Sequence, residues 1–281
     1  MNYQWYPGHM TKAIRSMQED IKLIDLVIEI VDARIPVSSR NPDIDKLAQG
    51  KGRLILLNKS DLADNKANKE WLEYYKSQNI QALLIDSRKS TGLKDIQKAV
   101  NEACSAKIER DRKRGIKNRP LRAMVCGIPN VGKSTFINAI SKKAATKTGN
   151  KPGVTKGKQW IRLNQTLELL DTPGILWPKF EDNTVGMHIA MIGSINDEIL
   201  HVDELAADII DFMKNNYGGR LAERYGVEEV SDNFAILEAI GKARGCLIKG
   251  GEIDYTKASN IVIDEFRSGK LGNITIENVN K

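Results

Sequence analysis

Residues 127–134 read Gly-Ile-Pro-Asn-Val-Gly-Lys-Ser, the composition of a loop that wraps phosphate. Backbone N–H groups can surround phosphate oxygens only where no side chain intervenes, and Gly127 and Gly132 meet that need. Lys133 brings positive charge to the β- and γ-phosphates, for binding and for catalysis. The Ser134 hydroxyl suits magnesium, and a helix starting there aims its N-terminal dipole at the phosphates. Asn130, Val131 and Thr135 complete the candidate phosphate contacts. Farther on, Asp171-Thr172-Pro173-Gly174 offers a carboxylate to hold magnesium through water and a Gly174 N–H to sense the γ-phosphate. Earlier, Asn58-Lys59-Ser60-Asp61 suits guanine. The Asp61 carboxylate can accept from N1–H and the 2-amino group, whereas adenine would leave it facing a lone pair. A lost charged hydrogen bond costs on the order of 1.5–3 kcal/mol. Asn58 suits the O6/N7 edge and the bracing of loops, the Lys59 stem can lie over the base plane, and Ser87, Arg88 and Lys89 offer backbone donors near O6.

A threonine that closes over magnesium and the γ-phosphate orders its loop only in the triphosphate state. Thr155, in Pro152-Gly153-Val154-Thr155, is the candidate, with Thr146 and Thr148 as competitors. The metal set is then Ser134, Thr155 and Asp171.

Short apolar runs must position these groups. Residues 26–31 lead into Asp32-Ala33-Arg34, 54–57 into Asn58, 83–85 into Asp86-Ser87-Arg88-Lys89, 123–126 into the phosphate loop, and 167–170 into Asp171. A further strand is predicted at 159–163. Helical stretches at 71–78 and 93–103 alternate with the runs, which predicts an α/β fold: a mainly parallel sheet with helices on both faces. Ligands of such sheets bind at the carboxyl ends of strands, where every motif named here sits. The base-reading run lies about seventy residues before the phosphate loop instead of after it. That order predicts a circularly permuted P-loop GTPase domain over residues 1–178. The basic stretch from Lys107 to Arg122 closes the permutation.

After residue 178 the strand pattern stops. Residues 184–225, 232–245 and 256–268 carry apolar positions at helical spacing, such as Leu205, Ile209 and Met213, and Ala258, Val262 and Phe266. A mostly helical second domain over 179–281 is predicted. The formal charge of +7 implies attraction for polyanions. Cys104, Cys126 and Cys246 have no paired spacing, which argues against a disulfide framework or zinc site, and no run is long enough to cross a membrane. The reading is a cytoplasmic monomer with no membrane partner.

The chain resembles the bacterial ribosome biogenesis GTPase A (YlqF/RbgA) family of circularly permuted GTPases. The resemblance rests on Trp5-Tyr6-Pro7-Gly8-His9-Met10, Asp32-Ala33-Arg34-Ile35-Pro36, Ser38-Ser39-Arg40-Asn41-Pro42 and Asp171-Thr172-Pro173-Gly174-Ile175-Leu176-Trp177-Pro178. It implies a GTPase that cycles between GTP and GDP late in assembly of the large (50S) ribosomal subunit. Such a factor binds precursor particles through rRNA and ribosomal proteins and leaves after hydrolysis, with the helical domain implicated in RNA contact.

Ile175 stands where many small GTPases place a water-orienting glutamine, so intrinsic hydrolysis is expected to be slow. The resemblance points to His9 for that role; the alternatives are a helix cap or an RNA contact. Asn130 raises potassium as a second cation beside the phosphates. Basic candidates for RNA are the 107–122 segment and Lys242, Arg244, Lys249, Lys257, Arg267 and Lys270; each is equally an ordinary solvated residue. Arg34 and Arg40 read as loop braces. Two other classes remain open, a signalling GTPase acting on a protein effector and a nucleotide-independent RNA-binding scaffold.

Overall fold

The computed structural model describes residues 15–116, 119–148, 160–172, 182–196 and 201–279, with the backbone alone for 142–148. His9, Thr155 and Gly174 lie outside them.

The described residues fall into two compact units, one covering the first part of the chain to 172 together with 275–279, the other 182–274. The first is built on six strands: β1 (Leu26–Asp32), β2 (Gly52–Asn58), β3 (Gln81–Leu84), β4 (Leu121–Cys126), β5 (Trp160–Arg162) and β6 (Leu167–Asp171). Their order in the sheet is β3-β2-β1-β4-β6-β5, and every pairing is parallel except β5 with β6. The expected mainly parallel α/β sheet is therefore present. All seven residues of β1 are buried. Because successive side chains point to opposite faces, burial of every one means both faces are covered.

On one face, Val31, Ala33, Ile55 and Leu57 pack with Ala67, Trp71 and Tyr75. The last three belong to the helix α2 (Asn65–Ser77), which follows the shorter α1 (Asp43–Leu47). α2 starts cleanly because the Asp64 side chain accepts from Lys66 N and Ala67 N; such a cap contributes about 1 kcal/mol.

Two short helices, α3 (Ile96–Ala103) and α4 (Ser105–Lys113), precede β4. The basic stretch that closes the permutation thus begins as a helix. It has no buried residue, and is supported by i,i+4 pairs of Lys107 with Asp111 and Lys113 with Glu109. Helix α5 (Lys133–Thr148) follows the phosphate loop. Thr146 and Thr148, read as loop residues, lie on its last turn, where Ala144 and Ala145 favour helix.

The second unit holds α6 (Asn183–Met191), α7 (Val202–Asn216), α8 (Arg220–Tyr225), α9 (Asn233–Ala243) and α10 (Tyr255–Arg267). Leu205, Ile209, Ile210 and Met213 of α7 and Ala258, Val262 and Phe266 of α10 are buried, as helical spacing predicts. The chain does not end there. Residues 275–279 return to the first unit, where Ile276 N donates to Arg34 O (2.8 Å).

All three cysteines are free and buried. Burial pushes the Cys104 thiol up to about 11 and raises that of Cys126 well above its usual value.

Candidate functional site

Sheet order reverses between β1 and β4: numbering runs outward from β1 toward β3 on one side and from β4 on the other. A crevice opens at such a switch point, at the carboxyl ends of the strands. The phosphate loop leaves β4 at this place. A Cβ on Gly127 would stand 2.5 Å from the Ile30 carbonyl of the neighbouring strand. Gly132 has φ +95°, and a Cβ there would meet Asn58 Nδ2 at 2.3 Å. Gly127 is therefore dictated by the close approach of a strand backbone, and Gly132 by the Asn58 side chain and its left-handed φ. Asn130 is also left-handed at φ 60°, which asparagine tolerates better than most residues.

The base-reading run meets this loop directly. Asn58, buried at the end of β2, donates from Nδ2 to Val131 O (2.7 Å). Its Oδ1 accepts from Ser87 N (3.1 Å) and Ser87 Oγ (2.9 Å). One amide thus ties together three loops from 58, 87 and 131. Of the two tasks read for Asn58, bracing is the one this geometry fills. Lys59 follows at φ 57°, its ammonium 3.0 Å from Asp32 Oδ2.

Asp61 presents two unlike oxygens. Oδ2 pairs with Lys89 Nζ (3.3 Å) and Arg88 Nη2 (3.8 Å). Oδ1 is buried without a hydrogen-bond partner in the structure. A carboxylate oxygen left that way is costly unless a ligand donates to it. Glu29 Oε1 and Asp86 Oδ2 are in the same state, so this oxygen does not by itself mark a ligand. The Lys89 side-chain contact was not foreseen from sequence, which offered the backbone of that residue alone.

At the phosphate end, Asp171 closes β6, which pairs with β4 in the register Val125 to Asp171. Thr172 Oγ1 donates to Val125 O (2.7 Å) and fixes the start of the switch. Burial lowers the Lys133 ammonium from its usual value, opposed by attraction to Asp171. Burial likewise raises the Asp171 carboxyl, opposed by Lys133. Lys133 is half-buried, whereas Asp171 stands exposed at the strand end, open to a divalent cation. Ser134 and Thr135 stand exposed on the first turn of α5. A hydroxyl and a carboxylate are hard oxygen donors, the kind magnesium takes.

A cavity of about 260 Å³ lies at the opposite ends of the strands, lined by Asp25, Lys51, Cys104 and Lys107. Lys51 is bonded to Ile24 O and Lys107 to Asp111, so these cations are already spent.

The family model described as 50S ribosome-binding GTPase matches residues 122–230. That span begins at β4 and leaves Asn58 to Asp61 outside it, on the N-terminal side. Ribosome biogenesis GTPase A of Bacillus cereus is 49% identical over 278 residues, covering 99% of this chain and 94% of that one. The chain belongs to the ribosome biogenesis GTPase A family. The Thermotoga maritima protein of that name is 32% identical, over 97% of this chain and 93% of its own. Solved structures agree. GDP-bound YlqF is 26% identical with a TM-score of 0.67, covering 95% of this chain and all of that one. GNP-bound YlqF from T. maritima is 27% identical with a TM-score of 0.64, at 96% and 99% coverage. As a member of the ribosome biogenesis GTPase A family, the chain binds GTP and GDP and hydrolyses the triphosphate. Its domain is the circularly permuted P-loop GTPase fold. No helix among the described residues is long and apolar enough to cross a membrane.

Proposed function

We propose that this GTPase is an assembly factor for the large ribosomal subunit, holding precursor particles through rRNA and ribosomal proteins while GTP is bound and leaving after hydrolysis. The observation that carries the nucleotide half is the Asn58 amide, which ties the base loop to the phosphate loop (Val131 O, 2.7 Å). Asp61 reads the base, Lys59 covers it, and Ser87 and Arg88 line its O6 side. Asn130, Val131, Gly132, Lys133, Ser134 and Thr135 hold the phosphates. Ser134, Thr155 and Asp171 would hold magnesium, which when bound neutralises charge on the β- and γ-oxygens. Gly174 reports the γ-phosphate, and His9 orients the attacking water. Asn130 is the proposed contact for potassium.

The partner half rests on the relatives' names and on the wiring of the chain. From Asp171 the chain runs directly into the helical unit, so a change at the γ-phosphate pulls on that unit. The family resemblance assigns RNA contact to it, and Lys242, Arg244, Lys249, Lys257 and Lys270 are its proposed phosphate contacts. Arg267, a candidate by sequence, is dropped because its guanidinium donates to Met191 O (3.0 Å) and Ala190 O (2.6 Å). The protein is read as cytoplasmic and monomeric.

Co-sedimentation with large-subunit precursors, run with a non-hydrolysable GTP analogue and with GDP, tests the reading. Pelleting with the analogue and release with GDP is expected. Failure to pellet in either state would favour a signalling role, and pelleting in both states a passive scaffold.

A further inference from the structure

The exit of β1 carries a pair, Asp32 with Arg34, that none of these roles uses. Asp32 is fully buried at the last position of the strand. Its Oδ1 accepts from Arg34 N (3.1 Å) and Arg34 Nε (2.9 Å). Its Oδ2 accepts from Arg34 Nη2 (2.8 Å) and lies 3.0 Å from Lys59 Nζ. A buried ion pair is a poor source of stability, because desolvation offsets the attraction. What it supplies is a fixed position. Arg34 fixes the carboxylate, and the carboxylate fixes the Lys59 ammonium. Lys59 needs such an anchor, because its left-handed backbone is one that residues bearing a Cβ rarely adopt.

The Arg34 loop is held in turn by the far end of the chain. Ile276 N and Glu277 N both donate to Arg34 O (2.8 and 3.3 Å). The Glu277 carboxylate accepts from Val37 N (2.7 Å), Ser38 N (3.1 Å) and Ser38 Oγ. The same segment also grips the chain after the base loop. Thr275 Oγ1 accepts from Asp64 N (2.9 Å), and Trp71 Nε1 donates to Glu277 O (2.9 Å). Val279 packs against the cluster of Val31, Ala33, Ile55 and Leu57. Residues 275–279 thus strap together the two stretches that flank Asn58 to Asp61.

We propose that Asp32, Arg34 and Glu277 are positioning residues of the guanine site. The strap fixes the Arg34 loop, Arg34 fixes Asp32, and Asp32 holds Lys59 so that its stem lies along one face of the base. The inference rests on the guanine site proposed above. It also gives the strap a regulatory sense. The phosphate half of the site is wired to the segment entering the helical unit, and the guanine half to the segment leaving it.

Dissociation of the fluorescent analogue mant-GDP from the full chain reads the effect, with thermal unfolding of the nucleotide-free protein measured alongside. Asp32→Asn is expected to speed dissociation about tenfold and Glu277→Ala about threefold. Neither should speed it further once Lys59 is methionine, because both act through that side chain. Dissociation at the wild-type rate, or the same acceleration with and without Lys59, overturns the inference. Should Asp32→Asn fail to fold, Glu277→Ala carries the test in the same two backgrounds. Lys59→Met alone dissociating at the wild-type rate would instead remove the guanine site on which the inference rests.

Discussion

At the scale of single residues, Asp61 and Glu29 are two carboxylates that each keep one oxygen without a hydrogen-bond partner. Asp61 carries the proposed contact to guanine N1–H and the 2-amino group. Exchange of that acceptor for an amide should reverse the preference. Asp61→Asn is expected to weaken GTP by about tenfold or more and to strengthen xanthosine triphosphate, measured by competition against mant-GDP. Unchanged preference would take Asp61 out of the role. Glu29 lies inside β1 and has no such ligand. Burial raises its carboxyl, although Arg40 and Arg53 each stand 3.1 Å away and pull it down. A group whose folded pKa exceeds its unfolded value of about 4.3 contributes stability below that value and loses it as pH rises through the folded one. Wild type should therefore lose stability relative to Glu29→Gln as pH rises across that window. Denaturant titrations at several pH values check the sign; a gain with rising pH would refute it. Arg34 and Arg40 were legible as loop braces from sequence. Their carboxylate partners were not, because Asp32 and Glu29 are hidden in a strand whose other residues are apolar.

Elements explain why most of the site could be read in advance. In a parallel sheet each strand is an unbroken apolar run, and the first polar residues after it stand at the ligand-binding edge. Asn58, Gly127 and Asp171 are legible for that reason. Helix α4 was not legible as a helix, because it buries nothing and so has no apolar period. The strap at 275–279 escaped notice because its partners lie some two hundred residues away in the chain, a distance no local pattern encodes. Two predictions belong to the loops that these elements carry. Gly132→Ala forces a Cβ against Asn58 Nδ2 at a left-handed φ, so GTP affinity should fall at least about tenfold in equilibrium binding. Asn58→Ala leaves Val131 O and Ser87 N–H unpaired inside the protein. It should cost about 2–3 kcal/mol in urea unfolding of the nucleotide-free chain. A loss below about half a kcal/mol would mean that the three loops hold together without it.

For the molecule as a whole, the division of labour between units sets how charge should act. Binding to an RNA particle through Lys and Arg is steeply salt-dependent, while nucleotide held by a built pocket is less so. Lys249→Glu, beside the exposed Leu247 and Ile248 in the helical unit, should weaken pelleting with precursor particles and leave mant-GDP affinity unchanged. Equal pelleting at low and moderate salt would exclude that residue and its neighbours from the contact. The loss of strand pattern after residue 178 is the signal for a two-part organisation, and residues 275–279 carry no local pattern that ties them to the first unit.

The buried state of Cys104, Cys126 and Cys246 has a practical side. Thiol-reactive dyes attack accessible thiolate, and this protein offers none under native conditions. A single engineered cysteine can therefore be labelled in the otherwise natural chain, for instance at Lys66 on the GTPase unit or Lys249 on the helical one. Fluorophores at that pair would report, turnover by turnover, any change in the distance between them when the nucleotide changes.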